Sequence, residues 1–316
     1  MPLIGTKTIR ITIQLSKYRM KYKYTFGLIL LTLLAASCKK NSEGLYNDLK
    51  MYKLQGPVKT ISEIDYSNTG KYTTYLSFNA DGFTQEQSTY NQDGSLIRKW
   101  KFEYNNLNQK ISRSCYILKD SLSEILHYSY NENAKLKNEK SVNPKGRLIT
   151  EIKHEYDSRQ NEIEKKFYDE NSKIQGGIRY IYDNNNNVVE ELQYDSVYNQ
   201  NLKQKKTYNP EGLNVETVYL TMHDSLLRRV TNVFLPNKQV GETCTYYSLN
   251  ELVSKTTYEY DKKLNVIRKL IYSPQDKTTE KHTFEYTYDK YKNWTSRNEY
   301  INGEPVDMIT RKIEYY

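Results

Sequence analysis

Apolar and polar residues alternate with a period of two along most of this chain, and clusters of Asn and Asp interrupt the alternation every 12 to 14 residues. Ile178, Tyr180 and Tyr182 project to one face of an extended segment, as the pleat of a strand requires. The run from Asp183 to Asn187 follows, and Asp and Asn favour turns because they tolerate left-handed backbone and bond their own main chain. The β-branched and apolar run Val188–Tyr194 then predicts a return strand. The same grammar recurs at Trp100–Tyr104 before Asn105 and Asn106, and at Tyr258–Tyr260 before Asp261. Strands this short, joined by turns this short, predict a succession of antiparallel hairpins.

The hairpins repeat. Phe78, Tyr104, Tyr130, Tyr156, Tyr182, Tyr208, Phe234, Tyr260 and Tyr286 form a column with a constant step of 26 residues. A second column with the same step reads Tyr90, Tyr116, Val142, Tyr168, Tyr194, Leu220, Tyr246 and Tyr272. If 183–187 is a loop, Tyr182 ends its strand at one margin of the sheet and Tyr194 ends the next strand at the other. Two strands in each of nine repeats predict an all-β antiparallel meander of about eighteen strands, roughly 85 Å across if flat. Large open sheets twist and curl. The expected form is therefore a twisted or rolled open sheet, with a closed cocoon as the alternative.

Composition sharpens this picture. Apolar residues make up 37% of the 316, and Tyr alone supplies 32 of them. The mean hydropathy of -0.86 would suit a disordered chain, but disorder is poor in aromatic and β-branched residues. A folded, thinly cored β protein fits better. The basic Lys21 and Lys23 precede an apolar run from Phe26 to Ala36, too short to span a bilayer. Leu34-Ala35-Ala36-Ser37-Cys38 follows the pattern of a bacterial lipobox. The expected organisation is a signal peptide over 1–37, with Met20 a fitting natural start, a tether lipidated at Cys38 over 38–50, and one β-repeat domain over 51–316. The first 37 residues hold Lys7, Arg10, Lys17, Arg19, Lys21 and Lys23 and no acid, so the net charge of +9 falls to +3 once they are removed. Lys and Glu are interspersed along the strands rather than gathered in a basic stripe, which excludes a nucleic-acid partner. Cys115 and Cys244 lie about ten strands apart, roughly 48 Å along an open sheet and beyond disulfide reach, so both are expected to be free thiols.

The recurring string Tyr-x-Tyr-Asp, with Asn four residues after the Asp, stands at Tyr180–Asp183 with Asn187, at Tyr258–Asp261 with Asn265, and at Tyr286–Asp289 with Asn293. His154–Asp157 with Asn161 is a fourth copy. The string resembles the YD repeat of the RHS (rearrangement hotspot) proteins, and the whole resembles small repeat lipoproteins of Bacteroidetes, over most of residues 52–316. Leu54–Lys59, Tyr288–Arg297 and Ile313–Tyr316 share in that likeness. The chain departs from the repeat where Gln160, Asn186, Leu264 and Lys292 replace the Gly before the Asn, and where Pro236 stands at the turn after Phe234. For the small lipoproteins the resemblance implies a fold and an envelope location, and no reaction.

Candidate chemistry is sparse. His127, His154, His223 and His282 lack metal-ligand spacing to one another or to Cys. Asp157, Asp183, Asp261 and Asp289 read as turn caps rather than calcium ligands, which need several converging oxygens. Glu190 and Glu191 point to opposite strand faces and cannot share a substrate. No catalytic residue, metal or cofactor is therefore expected. Of the two aromatic columns, Tyr104, Tyr130, Tyr156, Tyr182, Tyr208 and Tyr260 form the row taken as the candidate binding surface, for a glycan or an envelope protein. The expected function is a non-enzymatic, membrane-tethered binding or scaffold module; the other reading is a toxin-associated or enzymatic RHS-like shell with a site in the lumen of the roll. Lys39 in place of an Asp after the lipid Cys points to the outer membrane and leaves open which side the domain faces.

Overall fold

A computed structural model describes residues 47–67, 70–118, 120–196, 201–247 and 250–316. The signal peptide, Cys38 and most of the tether lie outside the described residues. Among the described residues one helical turn, α1 (Asp48–Met51), precedes twenty strands. They are β1 (Val58–Ser67), β2 (Gly70–Phe78), β3 (Thr84–Tyr90), β4 (Leu96–Tyr104), β5 (Lys110–Ile117), β6 (Ser121–Tyr130), β7 (Leu136–Val142), β8 (Leu148–Tyr156), β9 (Glu162–Tyr168) and β10 (Ile174–Tyr182). The remainder are β11 (Val188–Asp195), β12 (Leu202–Tyr208), β13 (Asn214–Leu220), β14 (Leu226–Phe234), β15 (Val240–Tyr246), β16 (Leu252–Tyr260), β17 (Val266–Ser273), β18 (Thr278–Tyr288), β19 (Trp294–Ile301) and β20 (Glu304–Tyr315).

Each strand pairs antiparallel with the next in sequence, and β1 also pairs with β20 over nine registered positions, so the sheet is a closed barrel. Closure corrects the expected open sheet and realises the cocoon that stood as its alternative. It also corrects the strand count. The first column falls on β2, β4 and each even strand to β18, and its partner strands complete a set of eighteen. The two extra strands, β1 and β20, stand outside the aromatic columns, and they pair with each other. An open sheet would leave two rows of unpaired amides and carbonyls; here Ile61 faces Ile313 across the seam, and Glu63 meets Arg311 at 2.7 Å. Each of Cys115 and Cys244 is ten strands from the other in either direction round the barrel. Both are free.

The turns explain the repeat. At Asp183–Asn187 the Asp183 amide donates to the Asn187 carbonyl at 2.9 Å, and Asp183 Oδ1 accepts from the Asn185 and Asn187 amides. The residue before the Asn sits in left-handed backbone: Gln160, Asn186, Leu264 and Lys292 have φ of 66°, 62°, 64° and 70°. In these four copies of the motif the usual Gly is lacking, as it is at Asn108, Ala134, Ser172, Asp224 and Lys238 in other turns, and a side chain there costs about 1 kcal/mol or more. Pro236 does not abolish its turn, which closes through Leu235 and Gln239 at 2.8 Å. A register shift beside these turns inserts one extra residue into the returning strand, as at Ile181/Tyr182.

Burial is thin. Among the described residues an apolar cluster holds Leu54, Val58, Ile61, Leu76 and Phe78, with Leu49, Tyr52, Ile313 and Tyr315 against it. It lies at the seam, where the segment from α1 to Val58 is stapled across the junction. Leu49 N–H donates to the Gly82 carbonyl, Asp48 accepts from the Thr84 amide at 2.7 Å, and Asn293 holds both the amide and the carbonyl of Gln55. Gly56 is required here: a Cβ would come within 2.7 Å of the Tyr291 ring, and its φ is 78°.

Candidate binding surface

Tracing opposed residues round the barrel separates its two faces, since directly paired residues project to the same side. One face is the more crowded, carrying Leu126, Glu139, Ser141, His154, Ile178, Glu191 and His282, all buried. The first aromatic column belongs to it. Tyr104, Tyr130, Tyr156, Tyr182, Tyr208 and Tyr260 are half-buried, and each hydroxyl donates to the carbonyl of the first residue of the preceding strand. The acceptors are Thr84, Lys110, Leu136, Glu162, Val188 and Val240, at 2.7 to 2.9 Å. A phenol that brings its ring into a shallow sheet and satisfies a strand-end carbonyl contributes about 1 kcal/mol through the bond alone. Burial pushes the Tyr182 phenol up to about 12.

The second column lies at the other margin and on the other face. Tyr116 pairs with Lys99, Tyr168 with Glu151, Tyr194 with Gly177 and Tyr246 with Arg229. Among the described residues no strand carbonyl accepts from these hydroxyls; that of Tyr194 reaches Glu164 at 3.0 Å. Cations instead approach the rings. Lys99 stands 5.1 Å from the Tyr116 centroid, Lys153 4.7 Å from Tyr168, Arg179 5.1 Å from Tyr194 and Arg229 4.7 Å from Tyr246. Each such pair contributes roughly 0.5–1 kcal/mol when exposed. Together they display aromatic and cationic groups at 26-residue intervals or multiples of it. The step was legible in sequence, but the row's different face was not, because the bulges and turns decide it.

The crowded face also carries polar clusters. His154 lies between Glu139, 3.1 Å from Nε2, and Glu162, which meets Nδ1, and Lys165 pairs with Glu162 at 3.1 Å. Burial alone would lower the His154 value, but the bonds to both carboxylates outweigh it and raise it. His282 is likewise held between Glu299 at 2.8 Å and Glu280 at 2.5 Å. Both ring nitrogens are thus occupied in each case. Among the described residues no group of three or more His, Cys, Asp or Glu is arranged to hold a metal. Glu190 and Glu191 face opposite sides, with Ile181 and Tyr180 as partners. Burial raises both the Cys115 and the Cys244 thiols, which disfavours the reactive thiolate. Asp157, Asp183, Asp261 and Asp289 each cap their own turn.

No family model matches this sequence, and no curated protein does. Solved structures similar to the barrel include a chain of the TcdB2-TccC3-Cdc42 complex, at 12% identity and a TM-score of 0.42. That match covers 73% of this chain but only 14% of the length of the other. A porin-like protein from Bacteroides uniformis ATCC 8492 matches at 12% identity and a TM-score of 0.39, over 82% of this chain and 98% of that one. A porin-like protein from Bacteroides vulgatus ATCC 8482 matches at 10% and 0.32, over 82% and 99%.

Neither face of the present barrel suits hydrocarbon. Glu139, Lys165, Glu191, Lys206 and Arg311 lie on the crowded face, and Lys101, Lys140, Lys166, Arg179 and Lys205 on the other. A Lys or Arg facing lipid near the bilayer midplane costs about 2–4 kcal/mol. No helix among the described residues is long and apolar enough to cross a membrane.

Proposed function

We propose that this chain is a small YD-repeat lipoprotein, tethered to the outer membrane through Cys38, whose barrel is a non-enzymatic binding or scaffold module. The observation that supports this reading most directly is the second tyrosine row. Its rings alternate with Lys and Arg on the less crowded face, and their hydroxyls are free of the strand-end carbonyls that occupy the first row. Aromatic faces beside strong donors suit a sugar ring or a polar protein surface. The first row, Tyr104 to Tyr260, serves this function indirectly, by holding successive strands in register.

The test is binding of the chain from Lys39 to Tyr316 to a glycan array and to solubilised envelope proteins. A specific ligand should lose at least tenfold in affinity with Tyr116→Ala, Tyr168→Ala and Tyr246→Ala together, since a lost aromatic contact of about 1.4 kcal/mol is tenfold. The paired variant Tyr130→Phe and Tyr156→Phe should bind normally. A ligand lost equally with both sets, each folded by circular dichroism, would remove the second row from the binding surface.

A further inference from the structure

One sector of the barrel margin, where the described chain begins at Asn47, is rich in lysine, and three hydrogen-bonded segments assemble the patch. The first is the staple from α1 to Val58, which exposes Lys50, Met51 and Lys53. The second is the turn between β18 and β19, which exposes Lys290 and Lys292 and is joined to the staple by Asn293 and Gln55. The third is the turn between β16 and β17, which exposes Lys262, Lys263 and Leu264 and is joined to β18 by the bond from Asn265 to the Tyr288 hydroxyl at 2.9 Å. Three acids occur on these segments, and all are turned inward. Asp48 receives the Thr84 amide, Asp261 the Tyr288 hydroxyl, and Asp289 the Tyr315 hydroxyl. Six lysines therefore remain outward, with Met51 and Leu264 42% and 41% exposed among them, against one exposed acid, Asp81, on the turn between β2 and β3 that Leu49 and Asn47 also join to the staple. The turns of the opposite margin are mixed, with Asp93, Asp120, Asp169, Glu170, Asp224, Glu251 and Asp276 beside Lys145, Arg147, Lys173 and Lys277.

We infer that this patch docks on the anionic headgroups of the bilayer that holds the anchor, so that the barrel meets the membrane by its staple margin. The inference rests on lipidation at Cys38, which lies nine residues before Asn47. A chain that long spans at most about 30 Å, and it adds Lys39 and Lys40 beside the lipid. A cluster of lysines next to the anchor would orient the barrel on an anionic surface, each lysine improving partition to it about fivefold.

The described residues from Asn47 onward form a compact unit through their own contacts, so the unlipidated chain from Lys39 isolates the patch from the anchor. The experiment is sedimentation of that chain with phosphatidylcholine vesicles, with and without phosphatidylglycerol. The expected result is partition at least tenfold stronger to the anionic vesicles, lost in 0.5 M salt as a screened surface interaction is (Debye length about 4 Å). Lys262→Glu, Lys263→Glu, Lys290→Glu and Lys292→Glu together should abolish it, and Lys145→Glu with Arg147→Glu at the other margin should not. Equal partition to both vesicle types overturns the inference, as does equal loss in the two variants. Lipidation is checked separately by the mass of the mature N-terminal peptide, so failure of the anchor and failure of the patch are distinguishable.

Discussion

Replacing Asn293 by Ala should loosen the seam of the barrel more than the same change at any other turn tested. Asn293 is 3% exposed. Its Oδ1 accepts from the Gln55 amide at 2.7 Å, and its Nδ2 donates to the Gln55 carbonyl and the Tyr315 hydroxyl, each at 2.8 Å. Three bonds at about 1 kcal/mol each place the loss near 2–3 kcal/mol, water recovering part of it at the exposed Gln55. Asn187 occupies the same place in its own turn, yet its side chain makes one bond, to Asp183 at 2.9 Å. Asn187→Ala should therefore cost about 1 kcal/mol. The assay is the urea midpoint of each variant, followed by tyrosine and tryptophan fluorescence, with hydrogen exchange at β1 and β20. The seam amides should lose protection in Asn293→Ala and keep it in Asn187→Ala. Equal destabilisation by the two, or unchanged exchange along β1, would refute the claim that the N-terminal staple holds the barrel shut.

Leu264→Gly should stabilise the barrel by about 0.5–1 kcal/mol, the relief of left-handed strain less the added entropy of Gly, and thermal unfolding would show it. Tyr182→Phe removes one bond, to the Glu162 carbonyl at 2.7 Å, and should cost about 1 kcal/mol in urea unfolding; Tyr130→Phe and Tyr208→Phe should each cost a similar amount. His154 has a value raised above its ordinary one, so its stabilising effect is fully present below about pH 6.5 and is lost as the pH rises through the higher folded value. The urea midpoint of the wild type should accordingly fall across that window relative to His154→Gln, and parallel pH profiles would contradict the arrangement with Glu139 and Glu162.

What could be read from the chain alone is local. The alternation at Ile178, Tyr180 and Tyr182, the turn chemistry of Asp183 to Asn187 and the 26-residue step follow from backbone periodicity and side-chain type, and they predicted the hairpins of the repeat and the antiparallel pairing of neighbouring strands. The same reasoning placed Tyr182 and Tyr194 at opposite margins. It could not place them on opposite faces, because one extra residue at each bulge inverts the alternation, and pairing between strands decides where that residue goes. Nor could it show that the Tyr182 hydroxyl is bound to Glu162, twenty residues earlier. Closure was the least legible feature. Nothing in the repeat distinguishes an eighteen-strand sheet that ends from one that is completed by β1 and β20, since the decision rests on contacts between residues some 250 positions apart, such as Ile61 with Ile313 and Glu63 with Arg311. Local residues determined the hairpin, and the unmet hydrogen bonds of two distant edges determined the barrel.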